Sequence, residues 1–139
     1  MVLNDRVIAL EDLKTTADSY AVGIVDAAHK ARNGNRTFAE AAKAVREASG
    51  QIDAKWKAYR ATRIVGDEER LAREVEENRV LADRAAGDLK TILERGDRAA
   101  LDSFVVQRLY PAIDPVSGSI FELVAMQIDV SRAKTRMPR

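Results

Sequence analysis

The sequence of 139 residues contains no cysteine, which excludes a disulfide framework and thiolate chemistry. Its single histidine, His29, cannot build a histidine-rich metal site or act beside a cysteine nucleophile. The 7 glycines do not form a phosphate-binding loop motif. We therefore expect a protein that is not an enzyme and has no cofactor or metal.

The sequence also lacks an excess of charge of one sign and lacks long hydrophobic runs. The chain has 23 basic and 22 acidic side chains, a net charge of +1, whereas nucleic-acid-binding proteins normally carry a basic surplus. No apolar run approaches the roughly 20 residues that cross a bilayer, and no secretory signal follows Met1. We expect a soluble chain that does not bind nucleic acid, in the cytoplasm or the periplasm.

What is present is a strong helical pattern, since only 3 prolines occur and 46% of the residues are hydrophobic. Apolar residues at spacings of three and four predict helices over about 3–32, 37–62, 67–95 and 98–135. The short connections favour antiparallel neighbours. The sequence thus predicts an all-α domain over 1–139, an up-down-up-down antiparallel four-helix bundle.

Several residues define the helix ends and core-facing rows. Thr37 with Glu40 forms a predicted capping box. Pro111 and Pro115 should bend or interrupt the fourth helix, because each lacks a backbone donor. The core-facing row of the first helix is predicted as Leu3, Val7, Leu10, Ala17, Ala21, Ile24, Ala28 and Ala31. That of the fourth begins Leu101, Val105, Arg108 and Ala112.

The two ends of the chain suggest a larger context. The first and last helical patterns run nearly to the termini without capping signals, and the predicted topology places both termini at one end of the bundle. A bundle cut from between two transmembrane helices would have these properties. The alternative is a soluble protein with frayed ends.

Three stretches carry a family resemblance: residues 5–14 (DRVIALEDLK), 20–34 (YAVGIVDAAHKARNG) and 109–116 (LYPAIDPV), with shorter matches at 56–59 and 123–127. Together they resemble the four-helix-bundle ligand-binding domain of bacterial methyl-accepting chemotaxis receptors. The third helix resembles the family only in its pattern.

The resemblance implies a periplasmic sensor module between flanking membrane spans, working as a parallel homodimer whose first helices pack across the twofold axis. Ala17, Ala21, Ala28 and Ala31 suit such a contact, and equally the monomer core. Related domains recognise small organic acids, aromatic acids or amino acids, and a small displacement of the fourth helix would carry the signal. The same module precedes histidine kinases.

Polar residues on core-facing rows suggest where a ligand binds, because buried polar groups need partners. Ser49, Asn78 and Arg108 occupy such positions, and Tyr20 flanks one. At 1.5 Å per residue, Tyr20 and Ser49 lie roughly 18 Å, Arg108 roughly 15 Å and Asn78 roughly 26 Å from the tip opposite the termini. We therefore predict a small carboxylate in this distal half, anchored by Arg108. The predicted ligand-binding residues are Arg108, Tyr20, Ser49, Asn78, Arg84 and Tyr110.

Other interpretations of these residues remain open. Arg108 could instead extend to an exposed carboxylate. Asp26 and His29 share a helix face and could form a polar contact near the bundle tip. Trp56 and Tyr59 are expected in the core rather than in a recognition site. As a whole, the chain could also be a cytoplasmic adaptor that presents a charged face to partner helices.

Overall fold

Helices account for nearly all of the chain in the computed structural model, which describes the backbone of residues 2–136 and the side chains of residues 7–129. No strand occurs in the described backbone. The helices are α1 (Val2–Asp18), α2 (Val25–Asn33), α3 (Phe38–Arg60), α4 (Asp67–Arg95), α5 (Arg98–Gln107) and α6 (Leu109–Arg136). A π-helical turn, Ser19–Ile24, joins α1 to α2. Within residues 2–136, no helix has the length and apolar character needed to span a membrane.

These elements form four antiparallel rods. The first rod comprises α1, the π-turn and α2, the second is α3, the third is α4, and the fourth comprises α5 and α6. The first rod packs on α3, α3 on α4, α4 on the fourth rod, and α6 on α1. This closed arrangement confirms the predicted all-α bundle. We call the end with the α2–α3 and α4–α5 connections the distal tip, and the opposite end the proximal end.

The distal connections follow from local chemistry. Gly34 ends α2 with a φ of 78°, a left-handed conformation that glycine adopts without strain. The Thr37 hydroxyl accepts from the Glu40 backbone N–H, and the Glu40 carboxylate accepts from the Thr37 N–H. The predicted capping box is therefore confirmed, and it holds the pKa of Glu40 below its ordinary value, chiefly through the Thr37 backbone bond.

The π-turn corrects the predicted core-facing row of the first helix. In α1 and at the start of the π-turn the structure buries Ala9, Leu13, Thr16 and Tyr20, each one residue before a position of the predicted three-four pattern. The predicted Val7 is 54% exposed and Ala21 is exposed. Beyond the π-turn the prediction is right, since Ile24, Ala28 and Ala31 are buried. Leu3 lies outside the described side chains.

The spacing of the buried residues explains this shift. Up to Tyr20 the steps are four, three and four, and from Ile24 they continue as three and four through Ala27 and Ala31. The step from Tyr20 to Ile24 is also four, whereas strict three-four alternation would place the next core residue at Gly23. This departure coincides with the π-turn Ser19–Ile24, which holds one residue more than the α-helical path that it replaces.

The fourth rod is interrupted at Arg108, as its prolines predicted. Pro111 has no N–H for the carbonyl of Gln107, and its ring conflicts with that carbonyl, so α5 ends there. Pro115 lies inside the continuous helix α6. Leu109, rather than the predicted Arg108, becomes the next core residue.

The proximal ends of α3 and α4 are tied by a cluster that we call the proximal clamp: Trp56, Arg60, Glu69 and Glu76. Arg60 donates to Glu69 at 2.7 Å and to Glu76 at 2.9 Å. Trp56 Nε1 donates to Glu76 at 2.9 Å. Arg60, and then Arg73, lower the pKa of Glu69 to about 2. Trp56 and Tyr59 are buried, which confirms their predicted core position.

Candidate ligand-binding site

A groove between α3 and α4 forms a cavity of about 340 Å³ in the distal half of the bundle. This volume lies within the range of small-molecule pockets. Gly87 and Ala86 leave the space open because they carry no side chain or only a methyl group. We call this cavity the α3–α4 groove; its lining residues are Arg46, Ser49, Asp53, Asp83, Ala86, Gly87 and Lys90.

The charges of the α3–α4 groove are segregated along its length. Arg46 and Lys90 lie towards the distal tip, whereas Asp53 and Asp83 lie deeper, since α3 and α4 run antiparallel. The two acids are engaged by Arg79, which binds Asp53 and Asp83. Arg46 and Lys90 form no hydrogen bond or ion pair with any residue in the described part of the chain. The distal end is therefore positive and available to an anion.

Tyr20 lies directly behind Asp83. Its hydroxyl donates to Asp83 Oδ1 at 2.6 Å and accepts from Arg79 Nε at 3.2 Å, and its side chain is fully buried. Burial, reinforced by the hydrogen bond to Asp83, holds the pKa of Tyr20 well above its ordinary value of 10. The phenol therefore remains a proton donor, and it links the π-turn of the first rod to the wall of the α3–α4 groove.

Two of the six predicted ligand-binding residues come together here. Ser49 lines the α3–α4 groove, and Tyr20 reaches it through Asp83. Asn78 lies on another side of α4, where its amide donates to the Pro115 carbonyl and to Ser119 Oγ, both at 3.1 Å. Its amide therefore joins α4 to α6.

The other three predicted residues are exposed. Arg108 is not directed into the core as predicted: its side chain is 45% exposed and donates to Asp88 at 2.8 Å, with the guanidinium 5.2 Å above the Phe104 ring. The interruption at Arg108 causes this, because it turns Leu109 inward instead. The alternative interpretation from the sequence, in which Arg108 extends to an exposed carboxylate, is the observed one, with Asp88 as the carboxylate. Arg84 is exposed on α4.

Tyr110 forms a contact that the sequence did not indicate. Its hydroxyl is hydrogen-bonded to His29 Nε2 at 2.7 Å, so α6 contacts α2 near the distal tip. Asp26, the expected partner of His29, instead pairs with Lys30 at 2.9 Å. The polar contact at the tip therefore exists, but with Tyr110 in place of Asp26.

The groove residues that were not predicted extend from Ser49 in a recognisable pattern. Arg46 and Asp53 lie three residues before and four residues after Ser49 on α3, and Asp83, Gly87 and Lys90 occupy i, i+4 and i+7 on α4. Each set is a polar row beside the apolar row of its helix. Reading each helix only for its core-facing row overlooked these flanking rows.

Comparison with known proteins agrees with this architecture. Residues 20–131 match the family described as the Tar ligand binding domain homologue. The chain is also 48% identical over 132 residues to the methyl-accepting chemotaxis protein NahY of Pseudomonas putida, a match covering 92% of this chain and 24% of that protein. It thus spans about a quarter of the length of the curated relative that it matches. No solved structure matches the chain.

The family match covers most of the chain, including the π-turn, α3, α4 and the interrupted fourth rod. The earlier resemblance is therefore confirmed: the chain belongs to the Tar-type family of ligand-binding sensor domains of methyl-accepting chemotaxis receptors.

Proposed function

We propose that this chemoreceptor sensor domain binds a small organic or aromatic carboxylate, or an amino acid, in the α3–α4 groove. One observation carries the proposal: Arg46 and Lys90 line the same cavity of about 340 Å³, and neither is neutralised by a described residue. Two cations that line one cavity without a described counter-ion favour an anionic guest.

The chemistry of the lining matches a carboxylate at the distal end. The Arg46 guanidinium can donate two parallel hydrogen bonds to one carboxylate, and the Lys90 ammonium adds a second positive charge. Ser49 offers a hydroxyl to a further oxygen of the ligand. At the deeper end, Asp53 and Asp83 disfavour a second anion and suit a ligand hydroxyl or ammonium group.

The place of this domain in a receptor is part of the proposal. Family membership favours a periplasmic domain that joins the membrane through flanking spans, over the alternative of a cytoplasmic adaptor. The family allows more than one output module, including that of a membrane histidine kinase. We propose the chemoreceptor output, because the relative that is 48% identical over 132 residues is a methyl-accepting chemotaxis protein.

Signalling would use a homodimer and a displacement of the fourth rod towards the membrane. The proximal clamp supports a bundle with one fixed and one moving part, since it fixes α3 to α4 at the end where α1 and α6 carry the chain termini. The α3–α4 pair would then serve as the fixed part of the bundle. The ligand must bind the two arrangements with unequal affinity to shift them.

A thermal-shift screen of the purified domain tests the proposal. The panel contains small aliphatic acids, aromatic acids such as benzoate, and amino acids, and calorimetry follows each hit. A ligand at 100 times its Kd adds about 2.7 kcal/mol to the free energy of unfolding. In a domain of this size we expect a rise in Tm of about 9 °C.

Matched variants locate the anchor. We expect the rise in Tm to disappear in Arg46→Ala and Lys90→Ala and to persist in Lys57→Ala, which removes an exposed cation of α3 outside the groove. Arg108→Ala tests the anchor predicted from sequence. Loss of binding in Arg108→Ala alone would place the ligand outside the α3–α4 groove. A panel without any saturable hit would contradict direct carboxylate binding.

A further inference from the structure

The π-turn holds α1 in one of two helical registers that its sequence permits. The observed register buries Ala9, Leu13, Thr16 and Tyr20. A π-turn holds one residue more than the α-helical path that it replaces. Without that extra residue, Leu10, Lys14, Ala17 and Ala21 would take the places of Ala9, Leu13, Thr16 and Tyr20. Three of these four residues are apolar, so α1 carries a second usable core-facing row.

Each register contains one charged misfit. In the observed register Asp12 is only 6% exposed, and its Oδ2 has no hydrogen-bond partner among the described residues. The nearest cation, Lys55 Nζ, lies 3.9 Å from Oδ1. In the second register Asp12 would move to the exposed place of Glu11, whereas Lys14 would enter the place of Leu13. Because a buried charge with incomplete hydrogen bonding is costly, each register is penalised at one position.

One hydrogen bond connects this balance to the α3–α4 groove. Tyr20 lies inside the π-turn and donates to Asp83, which lines the groove. In the second register Ala21 would take the place of Tyr20, and that bond would be lost. A ligand that engages Asp83 therefore acts on the group that holds α1 in its observed register.

We propose that the π-turn is a register switch that couples the α3–α4 groove to α1. When the turn becomes regular α-helix, α1 rotates by about 100° and moves about 1.5 Å towards the proximal end. The coupling to a ligand rests on the function proposed above, whereas the two registers do not. The first rod thereby becomes a moving element, in addition to the fourth.

Thiol labelling of the isolated domain tests the switch without any ligand. The chain has no cysteine, so single cysteines report individual positions. Ala9 is buried and would move to the exposed place of Ile8, and Ala21 is exposed and would move to the buried place of Tyr20. Ala9→Cys and Ala21→Cys therefore change accessibility in opposite directions.

Removing the Tyr20 hydroxyl should shift the balance. In a Tyr20→Phe background we expect maleimide to label Ala9→Cys about fivefold faster, the factor that corresponds to roughly 1 kcal/mol, and to label Ala21→Cys more slowly. Tyr59→Phe is the matched control, because it removes a buried phenol whose hydrogen bond goes to Glu68 of α4 and not to a groove residue. We expect neither rate to change in that control.

Opposite changes in the two rates support a register shift. Faster labelling at both positions would indicate general loosening, and unchanged rates would indicate a rigid π-turn; either result overturns the proposal. Deletion of Ala21 provides a second measurement, since it removes the extra residue. We expect this variant to fold, with residue 9 protected whether or not Tyr20 is replaced. An unfolded deletion variant would also overturn the proposal. Since no ligand is used, these outcomes are independent of the screen for carboxylates.

Discussion

Gly23 occupies a contact between the first rod and α3 that tolerates no side chain. A Cβ built on Gly23 would lie 2.6 Å from the Cβ of Ala48, too close for two carbon atoms. The backbones of the π-turn and α3 can approach only because residue 23 is glycine. The contact between the π-turn and α3 therefore requires glycine at position 23.

We predict that Gly23→Ala lowers the free energy of unfolding by about 1–3 kcal/mol, because overpacking outweighs the gain in helix propensity. Urea denaturation measures the change. Gly50→Ala is the control: nothing lies within 4 Å of its added Cβ, so we expect stabilisation of up to about 1 kcal/mol. Gly23→Ala should cost less in an Ala48→Gly background. An equal cost in both backgrounds would show that Ala48 is not the obstacle.

At the scale of the element, two irregularities shift the core-facing rows of the first and fourth rods by one residue from the predicted rows. The π-turn replaces Ala21 with Tyr20 in the first rod, and the interruption at Arg108 replaces Arg108 with Leu109 in the fourth. The second replacement is favourable, because it buries leucine and leaves arginine in solvent. Pro111 therefore stabilises the correct register as well as ending α5.

We predict strong coupling between Pro111→Ala and Arg108→Leu. Alone, Pro111→Ala should stabilise by less than the roughly 3 kcal/mol expected for removing proline from a helix, because a continuous helix would draw Arg108 inward. With Arg108→Leu that penalty disappears. A double-mutant cycle by chemical denaturation should give a coupling energy of at least about 1 kcal/mol. Additive effects would mean that the interruption does not depend on burying Leu109.

At the scale of the whole molecule, the exposed apolar side chains indicate how two copies would meet. Val7 on the first rod and Tyr110 and Phe121 on the fourth are large and exposed. The proposed homodimer joins first rods, and α6 lies beside α1. Of the alanines predicted for this contact, Ala28 and Ala31 are buried within the monomer, whereas Ala21 is exposed.

We predict a concentration-dependent dimer that Phe121→Glu weakens about tenfold, since the removed apolar contact is worth more than roughly 1.4 kcal/mol. Sedimentation equilibrium measures the dissociation constant. Val80→Glu is the matched control, because Val80 is similarly exposed but lies on α4. If Val80→Glu weakened the dimer and Phe121→Glu did not, the interface would include α4 rather than α6, which would contradict the proposal.

The regular features of the molecule could be predicted from its sequence because they depend on neighbours along the chain. Periodicity predicted an all-helical bundle, Thr37 and Glu40 predicted a capping box, and Pro111 predicted an interrupted fourth rod. These interactions span three or four residues, so the pattern contains both partners. The family resemblance was recognisable for the same reason.

The tertiary structure alone decided which residues meet across rods. Extrapolating one helical phase through α1 failed because an extra residue was absorbed at Ser19–Ile24, where Gly23 fits against Ala48. Extrapolation through Arg108 failed in the same way. The α3–α4 groove brings together positions such as Arg46 and Lys90, which lie far apart in sequence. Helical periodicity fixes the angle between residues of one regular helix, but only packing sets where a helix is interrupted and how it is rotated against its neighbours.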